Sequence, residues 1–154
     1  MAVKISKLFK CCFIFLCILT LTYSIYLASE FVFTLLIGWD PLFAFQLNCV
    51  IFAPYIEEYG KKVANKEGVL WRYTSLFSIS EFFLYVVGRI ATKGIGPGLM
   101  LFVFSRLCCI FSHFTYSYIQ YHYSNKNEAD KGFYIAMFFH MVQNFTAVVK
   151  TITI

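Results

Sequence analysis

"CCFIFLCILTLTYSIYLASEFVFTLLIG", residues 11–38, decides the fold. One carboxylate, Glu30, interrupts an otherwise uncharged run. About 20 apolar residues in a helix cross the ~30 Å of hydrocarbon in a bilayer. Lys4, Lys7 and Lys10 precede the run, and "LAS" lies within it, as in a secretory signal peptide. The apolar character resumes directly after "LAS", so the expectation is an uncleaved anchor over residues 11–37.

The rest of the chain repeats the pattern. Further spans are expected over residues 42–61, 72–90, 98–122 and 132–152. Between them lie the turn "GWDP", the polar loops "KKVANKEG" and "YSNKNEADK", and the Gly/Pro breaker "ATKGIGPG". Hydrophobic residues make up 60% of the 154 and charged residues 14%, too little charge to clothe a soluble core. Helices satisfy their own backbone groups in lipid and open sheets do not. The expected fold is therefore all-α: one integral membrane domain over residues 1–154, a polytopic bundle of about five transmembrane helices. The lipid bilayer is thereby an expected partner.

The net charge of +5 reads as topology, and no nucleic-acid partner is expected. Lys4, Lys7, Lys10, Lys61, Lys62, Lys66, Arg72, Lys126 and Lys131 fall on one side of a five-span chain, and Arg89, Lys93 and Lys150 on the other. The first side, with the N-terminus, is expected to be cytoplasmic. Cys11, Cys12, Cys17, Cys49, Cys108 and Cys109 all lie in apolar runs without a CxxC pair, which reads as buried free thiols.

Ionisable groups inside a bilayer are costly unless they face a polar interior. Four spans carry them at i, i+4 spacing: Glu57 with Lys61, Glu81 with Tyr85, His113 with Ser117, and His140 with Asn144. Counted inward at ~1.5 Å per residue, these groups sit about 8, 12, 8 and 10 Å from the cytoplasmic edge. One layer thus collects acids and imidazoles from four helices.

The same residues carry a resemblance. "EEYGK" reads as EExxK, "FSISEFFLY" as FxxxExxxY, "HFTYS" as HxxxS and "HMVQN" as HxxxN. In that order they resemble the PrsW family of intramembrane proteases. That family belongs to the wider group of type II CAAX prenyl proteases and Abi proteins. The likeness covers roughly residues 50–145, with a family-like core at about 42–152. It differs in having Phe82 where Asn often follows the glutamate.

The resemblance implies an intramembrane endopeptidase in a bacterial or phage-like inner membrane. Its substrate would be a membrane-bound protein or lipidated peptide. The first glutamate of EExxK, Glu57, would activate water, with Glu58, Glu81 and His113 in the site. His140 and Asn144 would form the oxyanion hole, and no cofactor is expected.

Each group has a plainer reading. Glu57 and Glu58 can be a solvated helix end; they point ~100° apart, so both cannot face one point equally. Lys61 can hold Glu57 ionised or mark topology. Glu81 can be a structural hydrogen bond, with Tyr85 donating to it, and Phe77 is packing. His113 can be interhelical glue, and Ser117 a back-bond to its own helix. His140 and Asn144 can likewise be glue. Arg106 is expected to pair with Glu30 or Asp40, and His122 to be solvated.

A divalent metal on Glu57, Glu81, His113 and His140 is the cofactor alternative. A non-catalytic scaffold or accessory subunit on the same helices is the functional alternative, since fold does not fix activity. Nothing in the sequence sets the oligomeric state.

Overall fold

The structure, a computed structural model, describes residues 2–38 and 40–152. Side chains are described from Ser6 onward, except Leu36 and those from Lys150. Trp39 of the expected turn, and the Lys4 and Lys150 side chains counted for topology, lie outside the described residues.

The described residues form helical rods and no strand. Helix α1 (Ala2–Glu30) runs into a π-helical turn (Phe31–Leu36). A second rod comprises α2 (Pro41–Leu47), a π-helical turn (Asn48–Phe52) and α3 (Ala53–Lys66). Three long helices follow: α4 (Leu70–Lys93), α5 (Leu99–Ser124) and α6 (Ala129–Ile152). The rod that contains α1, together with α4, α5 and α6, is long and apolar enough to cross a membrane.

The second rod is the exception and the key. Its α3 touches α1, α4, α5 and α6, so apolar neighbours surround it. Shielding replaces hydropathy, which is why it can carry Glu57, Glu58 and Lys61. The distribution of side chains is inverted relative to a soluble protein. Met100, Leu101 and Phe111 are each more than three-quarters exposed, whereas Glu58, Lys61, Thr74 and Ser117 are fully buried. Exposed apolar area on this scale belongs against lipid.

Local chemistry explains the boundaries. Asp40 caps α2, accepting from the amides of Leu42 (2.7 Å) and Phe43 (3.3 Å), and Pro41 occupies the first turn, where its missing N–H costs nothing. The expected loop "KKVANKEG" is instead helical as far as Lys66, and the chain turns only at residues 67–69. Lysine is a good helix former, and polarity alone does not end a helix. Gly68, in the left-handed region (φ 69°), makes the reversal into α4.

Ion pairs fix which ends lie together. Lys10 meets Glu67 at 2.7 Å, and Lys62 meets Asp130. The lysine-rich segments around residues 10, 62–67 and 128–131 thus share one end of the bundle. Of the cysteines, all free, only Cys11 is buried; Cys17 and Cys108 are exposed, a correction to the expected buried thiols. Cysteine is apolar enough to face lipid.

Candidate functional site: a carboxylate–imidazole cluster at α3

Four helices contribute one face each. On α5 the inward positions are His113, Tyr116, Ser117 and Gln120, the i, i+3, i+4, i+7 stripe of a helix seated on a neighbour. On α6, Phe133, Ala136 and His140 are buried at comparable spacing. On α4, Thr74, Ser78 and Glu81 follow the same logic. On α3 the buried residues are Pro54, Ile56, Glu58, Gly60, Lys61 and Ala64.

The ionisable groups join into a chain. Glu81 Oε2 lies 2.7 Å from His113 Nε2. His113 Nδ1 is 3.2 Å from Lys61 Nζ. Lys61 donates to Glu58 Oε1 at 2.6 Å. The same carboxylate oxygen is 2.9 Å from His140 Nδ1, and His140 Nε2 faces Glu57 Oε2 at 3.6 Å. Gln120 completes the hub by donating to Glu58 Oε2 (2.7 Å) and to the Glu58 carbonyl (3.1 Å).

The donors fix the tautomers. An ammonium only donates, so His113 Nδ1 accepts from Lys61 and the ring proton sits on Nε2, given to Glu81. A carboxylate only accepts when ionised, so His140 gives its Nδ1 proton to Glu58. That leaves His140 Nε2 turned toward Glu57.

The expected residues therefore meet, with the weight redistributed. Glu57, Glu58, Glu81, His113, His140 and Lys61 form one cluster. Glu58 is the fully buried hub, and Lys61 pairs with it, not with Glu57 as expected. Both glutamates face the same ring: Glu58 bonds His140 Nδ1, and Glu57 Oε2 stands 3.6 Å from Nε2. Glu57 has a side chain 15% exposed, and its Oε2 has no hydrogen-bond partner, which leaves that oxygen free to act on another molecule.

Three expectations change. Tyr85 does not serve Glu81; its ring lies 4.6 Å from the Arg106 guanidinium. Arg106 accordingly sits with Tyr85 and Phe102 and not with Glu30 or Asp40. Asn144 donates to the carbonyl of Cys49 at 2.8 Å. In the π turn, Ala53 N–H reaches the carbonyl of Asn48, so the next acceptor is Cys49. The residue due to serve it is Pro54, which has no N–H. Asn144 supplies the missing donor.

Ser117 back-bonds to the His113 carbonyl (2.9 Å), as read from the sequence, and also meets Thr74 Oγ1 at 2.6 Å. Phe77 packs edge-on against the His113 ring. His122 is exposed at the end of α5.

Tyr116 and Gln120 were not among the expected site residues. Tyr116 stacks on the His140 ring (5.2 Å between centroids) and donates to Gln143. Their shared helical face with His113 and Ser117 is the signal that could have found them.

The metal alternative can be tested on this geometry. Donor atoms of Glu57, His113 and His140 lie within 4.8 Å of one another, a spread suited to one ion. Glu81 is not in that group; it grips the His113 ring from outside. His113 does not fit a metal. Binding through Nε2 requires losing the proton given to Glu81, and binding through Nδ1 sets the ion against the Lys61 ammonium.

Glu57 also lines a cleft of about 260 Å³, whose other walls include Leu19, Thr22, Tyr26, Cys49 and Tyr85. This cleft is bounded by α1, the second rod and α4, and is mostly apolar. The chain matches no family model, no curated protein and no solved structure.

Proposed function

We propose that this chain is a PrsW-like intramembrane endopeptidase in which Glu57 activates water. The observation that carries the reading is the convergence of Glu57, His113 and His140 within 4.8 Å, inside a bundle whose outer surface is apolar. A water held between Glu57 and His140 would give its proton to the free Glu57 oxygen as it attacks a peptide carbonyl, and Glu57 would pass that proton to the amide nitrogen as the C–N bond breaks. His113, with both ring nitrogens engaged by Lys61 and Glu81, ties α5 to α3 and α4 and so fixes the walls around that water. His140 donates Nδ1–H to Glu58, which leaves Nε2, turned toward Glu57, to accept a hydrogen bond from that water. Asn144 keeps one amide hydrogen spare after serving Cys49, which it would offer to the forming oxyanion.

The apolar cleft beside Glu57 supports entry from the membrane, and so a membrane-bound protein or lipidated peptide as substrate. The lysine-rich end would be cytoplasmic and the membrane a bacterial-type inner membrane. No metal takes part in this scheme.

The test is Glu57→Gln, which keeps shape and removes the base, beside His113→Ala and His140→Ala. Cleavage of a membrane-tethered reporter and protein abundance are measured together. An endopeptidase loses at least about 100-fold in cleavage at unchanged abundance. Retained function in Glu57→Gln, or loss only in step with abundance, assigns the cluster to a scaffold instead.

A further inference from the structure

We propose that the lysine-rich end of the bundle binds an anionic phospholipid in a site between α1, α4 and α5, separate from the carboxylate–imidazole cluster. Two adjoining hollows make the site. One, of about 450 Å³, is of mixed character, with Lys7, Asn65, Arg72, Tyr121 and Asn125 beside Val69 and Leu70. The other, of about 400 Å³, is an apolar groove lined by Leu8, Cys11, Cys12 and Leu76. Trp71 and Arg72 belong to both. A charged head with a hydrocarbon tail matches this pairing; a free anion matches only half of it.

The charges point the same way. Lys10, Lys62 and Lys131, at this end, are each paired with a carboxylate of the chain. Lys7 and Arg72 have no ion pair among the described residues, and no acid lines either hollow. The neighbouring hollow at Lys62 and Lys66 includes Glu67, so it carries its own counter-charge. Two uncompensated cations facing a concavity, with the amides of Asn65 and Asn125 beside them, are arranged for an external anion. The Trp71 ring, stacked on Phe114 (6.4 Å) and 5.9 Å from Tyr121, forms the amphipathic wall found at headgroup level. Basic pockets between membrane helices take anionic headgroups in this way.

Trp71 also provides the probe. The Trp39→Phe variant leaves Trp71 as the sole tryptophan. The full chain is reconstituted in phosphatidylcholine vesicles containing increasing fractions of dibrominated phosphatidylglycerol or dibrominated phosphatidylcholine, and Trp71 quenching is followed. The anionic lipid is expected to reach half-quenching at a lower mole fraction. Lys7→Gln and Arg72→Gln are expected each to shrink that preference on the order of fivefold. Lys131→Gln, which removes a paired lysine, and Arg72→Lys, which keeps the charge, are expected to retain it.

Helical circular dichroism and the phosphatidylcholine quenching curve report whether each variant remains folded. Equal quenching by the two lipids overturns the proposal, as does a preference that survives in the folded double variant. Excess inorganic phosphate that abolishes the preference assigns the hollow to a free anion and overturns it too.

Discussion

Glu58 and Lys61 are both sealed from solvent, so neither charge has water as an alternative partner. Removing one partner of such a pair leaves the other stranded, at about 3–5 kcal/mol. Lys61→Met is expected to lose stability on that scale in detergent unfolding. Adding Glu58→Gln is expected to recover most of it, because no charge then remains buried alone. The neutral Thr74–Ser117 contact is a contrast: Thr74→Ala should cost only about 0.6 kcal/mol, the usual worth of a hydrogen bond between membrane helices. Sequence identified the acids and imidazoles because charge inside an apolar run has few explanations. It did not rank Glu58 above Glu57. Adjacent residues on a helix differ only in direction, and the direction that counts is set by where the other helices pack.

The second rod shows what local composition hides. Asn48, Cys49 and Pro54 look unremarkable in sequence, yet Pro54 withdraws the donor due to Cys49 and Asn144 restores it from α6. Asn144→Ala is expected to destabilise the protein by up to about 1.7 kcal/mol. In a Pro54→Ala background, which returns the backbone N–H, the same change should cost much less; a double-mutant cycle in thermal unfolding reads the difference. Close approach of α5 and α6 rests on Gly132. A Cβ there would lie 2.8 Å from the Cβ of Tyr123 and 3.2 Å from the Cα of Gln120. Gly132→Ala is expected to cost about 1–3 kcal/mol by overpacking, and to weaken the Gln120 grip on Glu58. Helix number and most boundaries were legible from apolar runs and Gly/Pro breaks. The reach of α3 to Lys66 was not, since lysines suit helix and loop alike.

At the scale of the molecule, ion pairs hold the lysine-rich end together. Lys10 holds the Glu67 carboxyl below its ordinary value of 4.5. A carboxyl depressed in the folded state stabilises above its unfolded pKa, and the gain fades as pH falls through the folded value. Hydrogen exchange in the first turns of α1 is therefore expected to quicken below about pH 4.5, and Glu67→Gln to show the fast rate at neutral pH. High salt should mimic part of this, the pair being exposed. Reporter fusions test the orientation: alkaline phosphatase joined after Gly68 should be inactive, and after Gly96 active. The arrangement of α3 at the centre, finally, bears on biogenesis. Three of the four helices that shelter its charges lie in or next to the chain made later, α4, α5 and α6. A nascent chain halted after Lys66 would offer the insertion machinery a segment too polar to partition alone. Secure delivery into the lipid phase therefore waits until α6, the last of its sheltering helices, has been made.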